Sequence, residues 1–156
     1  MDFATQDLIL AIAHHVLIFA LAGVLAFELG VARQGLSAID IRRLGRVDAW
    51  YGILAGLIVA VGFVRAIYAA KGWAYYSTNH FFWAKLATFA LVGILSSWPT
   101  VAFIRWRRAL SKDPAFLPSP GAITTVRRFL WAEVLLFALI PVFAAAMARG
   151  YGMPSG

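Results

Sequence analysis

Four long apolar stretches dominate the chain, separated by short segments that gather most of its charge. They run from about Asp7 to Gly30, Asp48 to Ala70, His80 to Ile104 and Thr125 to Ala148. Written as helix at 1.5 Å per residue, each is about 35 Å long. The hydrocarbon core of a bilayer is about 30 Å thick, so each stretch can cross it with some tilt. Helix is the expected form, because every backbone polar group must be satisfied within its own segment in lipid. A barrel strand would need an alternation that these continuous runs lack. The predicted fold is all-α: an antiparallel, up-down four-helix transmembrane bundle in one domain covering residues 1–156.

Composition agrees with that reading. The chain is 62% hydrophobic and only 13% charged, more apolar side chain than a small soluble core can hide. It has no cysteine, which excludes disulfides, thiolate metal sites and cysteine nucleophiles. The net charge of +7 does not indicate nucleic acid, since the basic residues flank apolar spans and leave no soluble basic face. The expected partners are the lipid bilayer and either a second copy of the chain or a larger membrane complex. The acidic start, Met1-Asp2-Phe3-Ala4-Thr5-Gln6-Asp7, lacks the basic region of a signal peptide.

The charge distribution sets an orientation. The first connection carries Arg33, Arg42, Arg43 and Arg46, and the third carries Arg105, Arg107, Arg108, Lys112, Arg127 and Arg128. The middle connection carries only Lys71. The positive-inside rule places both basic connections in the cytoplasm and both termini outside, in a multi-pass protein of a bacterial inner membrane. Trp73, Tyr75, Tyr76, Phe81, Phe82 and Trp83 are the expected outer aromatic belt; Trp50, Tyr51, Trp98, Trp106 and Trp131 are the inner one. Residues 151–156 read as a frayed tail. A Gly52, Gly56, Ala60 stripe offers another helix a close approach. Pro99 is expected to kink its helix, with Ser96 and Ser97 bonding freed carbonyls.

Candidate chemistry lies in the polar residues inside the spans. His14 falls about 10 Å below the outer surface, and Arg65 and Lys85 about 7–8 Å below it. Three helices thus present nitrogen-bearing side chains to one layer. Each cation also has a simpler reading, in which it reaches back to the interface. In the inner half lie Glu28 and, about 12 Å from the cytoplasmic side, Glu133. His14, Leu21, Leu25 and Glu28 share a helical face, which is expected to look into the bundle. Glu28 is expected to pair with a loop arginine such as Arg33, and Glu133 with Arg127 or Arg128. Ser96 sits about 24 Å below the outer end of its span, too far from His14 for a nucleophile–base pair. No metal-protease or phosphate-loop motif is present.

A haem suits apolar helices with an imidazole. In that reading His14 is the metal ligand. Arg65 and Lys85 are the candidate catalytic residues and hold the cofactor through its propionates, or Lys85 serves as a second axial ligand. The runner-up readings are an accessory subunit of a membrane complex and a proton-coupled transporter or channel using His14, Glu28 and Glu133.

The run Gly62-Phe63-Val64-Arg65-Ala66-Ile67-Tyr68, with Lys71-Gly72, Tyr75-Tyr76, Asn79, Phe82-Trp83, Lys85, Ser96 to Thr100 and Arg105-Trp106-Arg107, resembles a family of uncharacterised bacterial four-helix membrane proteins, a domain of unknown function. That resemblance covers nearly the whole chain and implies the fold but no activity. His14 and Trp83-Ala84-Lys85 are more distantly similar to the small four-helix membrane protoporphyrinogen IX oxidases. That likeness implies haem b, a dimer or larger assembly, a ligand role for His14 and a functional role for Lys85. The second histidine of those oxidases has no counterpart here, where Val31-Ala32-Arg33 stands instead.

Overall fold

The computed structural model describes residues 2–68 and 72–153. It is all-helical: α1 (Phe3–Val31), α2 (Ala38–Tyr68), α3 (Gly72–Thr78), α4 (His80–Lys112) and α5 (Pro120–Ala148). Four of these are long and apolar enough to span a membrane. α1 packs chiefly on α2 and α4 on α5, and contacts of α2 with α4 and of α1 with α5 close the bundle. Lys71 and residues 69–70 and 154–156, which carry parts of the expectations above, lie outside the described residues.

The helices outrun the apolar stretches that predict them. α2 begins at Ala38, so Arg42, Arg43 and Arg46 stand on helix and not in a loop. α4 continues to Lys112 and carries Arg105, Arg107 and Arg108 with it. Hydropathy marks where lipid begins, whereas the backbone goes on bonding past that depth until a cap stops it. The stops are legible: Ser119 caps α5 by accepting from Ala122 N, with Pro120 at its first position. The short α3 has no apolar stretch behind it.

The packing follows a repeat of alternating three- and four-residue steps. On α5 it reads Ile123, Val126, Leu130, Glu133, Phe137, Ile140, and on α2 Ile41, Leu44, Asp48, Tyr51, Ala55, Ile58. On α1, Leu21, Leu25, Glu28 and Ala32 are all buried; on α4, Val92, Pro99, Phe103, Trp106 and Leu110 are. This is the seam of a left-handed bundle. It is dense in the half that holds the basic connections and sparse towards the termini, where no residue of α1 before Leu21 is fully buried among those described.

Several expectations change. Tyr51 and Trp106 belong to the core and not to an aromatic belt, at 5% and 6% exposure. Phe82 is likewise buried, with Trp73, Tyr76 and Trp83 packed around its ring. The Gly52–Gly56 face meets no other helix: a Cβ at either position would have open space around it. The close approaches fall at Gly45, under the Arg107 side chain, and at Gly62, where a Cβ would lie 3.3 Å from His14 Cε1. Ser96 and Ser97 bond the carbonyls of Gly93 and Ile94, each within its own turn of α4. α5 contains a second internal proline, Pro141.

The segment after α5 is docked through Gly152. Asn79 is fully buried; its Oδ1 accepts from Phe81 N and Phe82 N to cap α4, and its Nδ2 donates to the Tyr151 carbonyl at 3.0 Å. His80 N donates to the Gly152 carbonyl at 2.9 Å. Gly152 has φ +82° and sits against Phe81 and Asn79, where a side chain would collide. Asn79→Ala removes both functions of that amide. It should cost about 1–2 kcal/mol, read as a lower thermal midpoint in detergent together with faster proteolysis after residue 150.

Candidate functional site

The bundle carries two polar layers. In the layer near the termini, α1 supplies Asp7 and His14, α2 supplies Arg65, and α4 supplies Lys85. Asp7, His14, Leu21 and Glu28 recur every seven residues on α1, as do Tyr51, Ile58 and Arg65 on α2 and Lys85, Val92, Pro99 and Trp106 on α4. Each of these side chains therefore stands on the inward seam of its helix. Arg65 meets Asp7 at 4.0 Å, in the one salt bridge among the described residues. Lys85 places its amine 5.5 Å from the Phe82 ring centre. Lys85 and Arg65 both lie within electrostatic reach of His14. The three nitrogen-bearing groups predicted to share a depth are thus neighbours. His14 Nδ1 and Arg65 Nε are buried without a hydrogen-bond partner. His15 and His80 are exposed; the His15 ring bonds the Ala11 carbonyl of its own helix.

The second layer is the more enclosed. Glu28 is 2% exposed, Glu133 1% and Asp48 8%, and they come from α1, α5 and α2. Tyr51 donates to Glu133 Oε2 at 3.3 Å. Thr100 donates to Asp48 Oδ1 at 2.7 Å. One carboxylate oxygen of Glu28 and one of Glu133 are buried with no partner. Glu28 lies within electrostatic reach of both Asp48 and Glu133. The arginine partners expected for the two glutamates are not there. Arg127 instead donates to the carbonyls of Leu29 and Ala32, at 3.0 and 2.7 Å, and so closes the open end of α1. A seam glutamate points into the bundle, and a flanking arginine meets the nearer unpaired carbonyls first.

Between His14 and Glu28 the helix rises about 21 Å, and the intervening seam is apolar, with Leu21, Leu25, Ile58 and Val92 buried. The two layers are therefore separate sites. A cleft of about 550 Å³ between α2 and α4 reaches the carboxylate layer and is lined by Asp48, Tyr51, Gly93, Ser96, Thr100 and Arg107, among others. A second, of about 610 Å³ between α1 and α5, is lined by Arg33, Gln34, Thr124, Arg127, Arg128 and Trp131 with Leu29 and Gly30.

Asp7, Asp48 and Tyr51 escape a reading based on depth alone. The signal that finds them is the seven-residue step: Asp7 stands one step before His14, and Asp48 and Tyr51 fill seam positions of α2. No group of three metal-ligating side chains occurs among the described residues.

Thr100→Val leaves a buried Asp48 oxygen without its donor. The expected cost is about 1–3 kcal/mol, read from thermal unfolding in detergent. Ser97→Ala, at an exposed hydroxyl bonded within its own helix, should stay within about 0.5 kcal/mol of the parent.

The family described as Predicted membrane protein (DUF2214) matches residues 6–152. No curated protein and no solved structure matches the chain, so no relative supports the likeness to the oxidases. The chain belongs to the DUF2214 family of predicted membrane proteins.

Proposed function

We propose that this polytopic member of the family is a proton-coupled transporter or channel whose working element is the layer of Glu28, Asp48 and Glu133. One observation carries the reading. Two almost fully buried carboxylates, on different helices of a membrane bundle, each hold an oxygen that no protein group satisfies. A charge in hydrocarbon costs roughly 2.5–3.5 kcal/mol on insertion scales, so such groups persist on substrate and proton paths and are rare elsewhere. Glu28 and Glu133 take up and release the proton, Tyr51 links Glu133 to the α2/α4 cleft, and Asp48 with Thr100 stands in the cleft wall. The apolar seam at Leu21 and Leu25 keeps the His14 layer out of contact in this conformation. Conduction then needs that seam to wet or open.

Proteoliposomes with an imposed pH gradient and an entrapped pH-sensitive dye test this. The parent protein should dissipate the gradient faster than protein-free vesicles. Glu133→Gln and Glu28→Gln should each lower that rate at least tenfold, and Ser97→Ala should not change it. A parent protein no faster than protein-free vesicles would refute the reading.

A haem at the other layer is the second reading, favoured by one observation: His14 has a buried, unpartnered ring nitrogen and two cations within reach. Gly62 lies against the Cε1–Nδ1 edge of the ring, and His14 would be the residue to hold the iron. Arg65 and Lys85 would be the propionate partners, although Arg65 already faces Asp7. A haem would supply one-electron chemistry. Protein purified from its native membrane should then show a Soret band that His14→Ala abolishes or shifts; a parent protein without the band, after haem is supplied, removes this reading.

A further inference from the structure

Three arginines, Arg33 from the bend after α1 and Arg127 and Arg128 from α5, share one cleft at the basic end of the bundle, and only one of them is committed to the fold. Arg127 holds the end of α1 through Leu29 and Ala32. Beside it the Gln34 amide bonds the Pro120 carbonyl at 3.2 Å and the Thr124 hydroxyl at 3.4 Å, tying the chain after α1 to the first turns of α5. Those four bonds form a latch that fixes the walls of the 610 Å³ cleft. Arg33 and Arg128 stand in the same walls, and their guanidinium groups make no hydrogen bond or ion pair among the described residues. Asp40, within electrostatic reach of Arg33, accepts hydrogen bonds from the Ser37 amide and hydroxyl instead. The rest of the wall is of another kind: Leu29, Gly30 and the half-exposed ring of Trp131.

The ligand class follows from that division. Two free guanidiniums match phosphate oxygens, which they can take bidentately. Indole is the side chain most at home at the boundary of headgroup and acyl chain. The apolar strip continues along membrane-spanning helix and offers a tail somewhere to lie. Basic pockets between transmembrane helices hold anionic headgroups in this way, and the cleft falls within the size range of small-ligand sites. We propose that the α1/α5 cleft binds an anionic phospholipid. Arg33 and Arg128 grip the phosphate, Arg127 is the positioning residue, and an acyl chain lies over Leu29, Gly30 and Trp131. This site is separate from the carboxylate layer and stands whether or not that layer moves protons.

The test uses the full chain in mild detergent, with micelles doped with phosphatidylglycerol, phosphatidylcholine or neither. Phosphatidylglycerol should raise the thermal midpoint saturably, by several degrees, and phosphatidylcholine should not. Arg33→Gln and Arg128→Gln should each weaken the apparent affinity at least threefold. R42Q/R43Q, which removes two charges from exposed positions at the same end but outside the cleft, should leave it unchanged. Brominated phosphatidylglycerol should quench tryptophan fluorescence more than brominated phosphatidylcholine, and Trp131→Phe should abolish the difference. Equal weakening by R42Q/R43Q would reduce the effect to diffuse charge and overturn the proposal. So would a full response to phosphatidylcholine, or to inorganic phosphate at the headgroup concentration. A quenching difference that survives Trp131→Phe would overturn it as well.

Discussion

Everything in this bundle depends on a seven-residue stripe that has to face protein in a medium as apolar as its own side chains. In water such a stripe turns inward because burial removes apolar surface from solvent. In lipid that force is gone, and helices associate through close packing and polar contacts. A carboxylate on the stripe then acts more strongly than a leucine, since lipid will not take it. Glu28, Asp48 and Glu133 occupy positions that the repeat would give to leucine or isoleucine, and all three are buried, Glu28 and Glu133 almost completely. They fix the rotation of α1, α2 and α5 about their axes. The same stripe carries Asp7, His14, Arg65 and Lys85 at the other end.

The two halves of the bundle solve different problems. Near the basic connections the seam is filled without interruption, with Ile41, Leu44, Phe103, Trp106, Ile123 and Leu130 interlocked. Arg127 and Gln34 latch α1 to α5 there. Near the termini the seam thins, and order comes from discrete polar contacts: the Asn79 cap, the hydrogen-bonded Tyr151–Gly152 segment and the Arg65–Asp7 ion pair. A tight half can hold unpartnered carboxylates in place at a cost in stability. A looser half can rearrange around His14 and Lys85. On the proposed function, that difference would let one end hold its geometry while the other admits water or a ligand.

The two clefts separate in the same way. The α2/α4 cleft leads from Arg107 past Asp48 to Tyr51, and so to the carboxylates. The α1/α5 cleft has no carboxylate in its lining; it pairs guanidiniums with an apolar wall of Leu29, Gly30 and Trp131. The first brings together a carboxylate, a phenol and hydroxyls, the second guanidiniums, an amide and an indole.

Read as a sequence, the chain determined its solvent, the number and order of its spans, and the His14–Leu21–Leu25–Glu28 face of its first helix. All of these depend on hydropathy and on local period, which each residue carries with it. Position along each helix was legible too, and His14 does lie within electrostatic reach of Arg65 and Lys85. Tertiary structure alone decided which partner each polar group meets. Arg127 was expected to neutralise Glu133 and went instead to the α1 carbonyls; Arg65 was expected near a propionate or the interface and met Asp7. Two residues far apart in the chain become partners only when helix rotation and neighbour choice are set together, and those are properties of the packed bundle. The segment at 151–152 makes the same point: it belongs to the stretch that read as fraying, yet the buried Asn79 amide holds the Tyr151 carbonyl and the His80 N–H holds the Gly152 carbonyl.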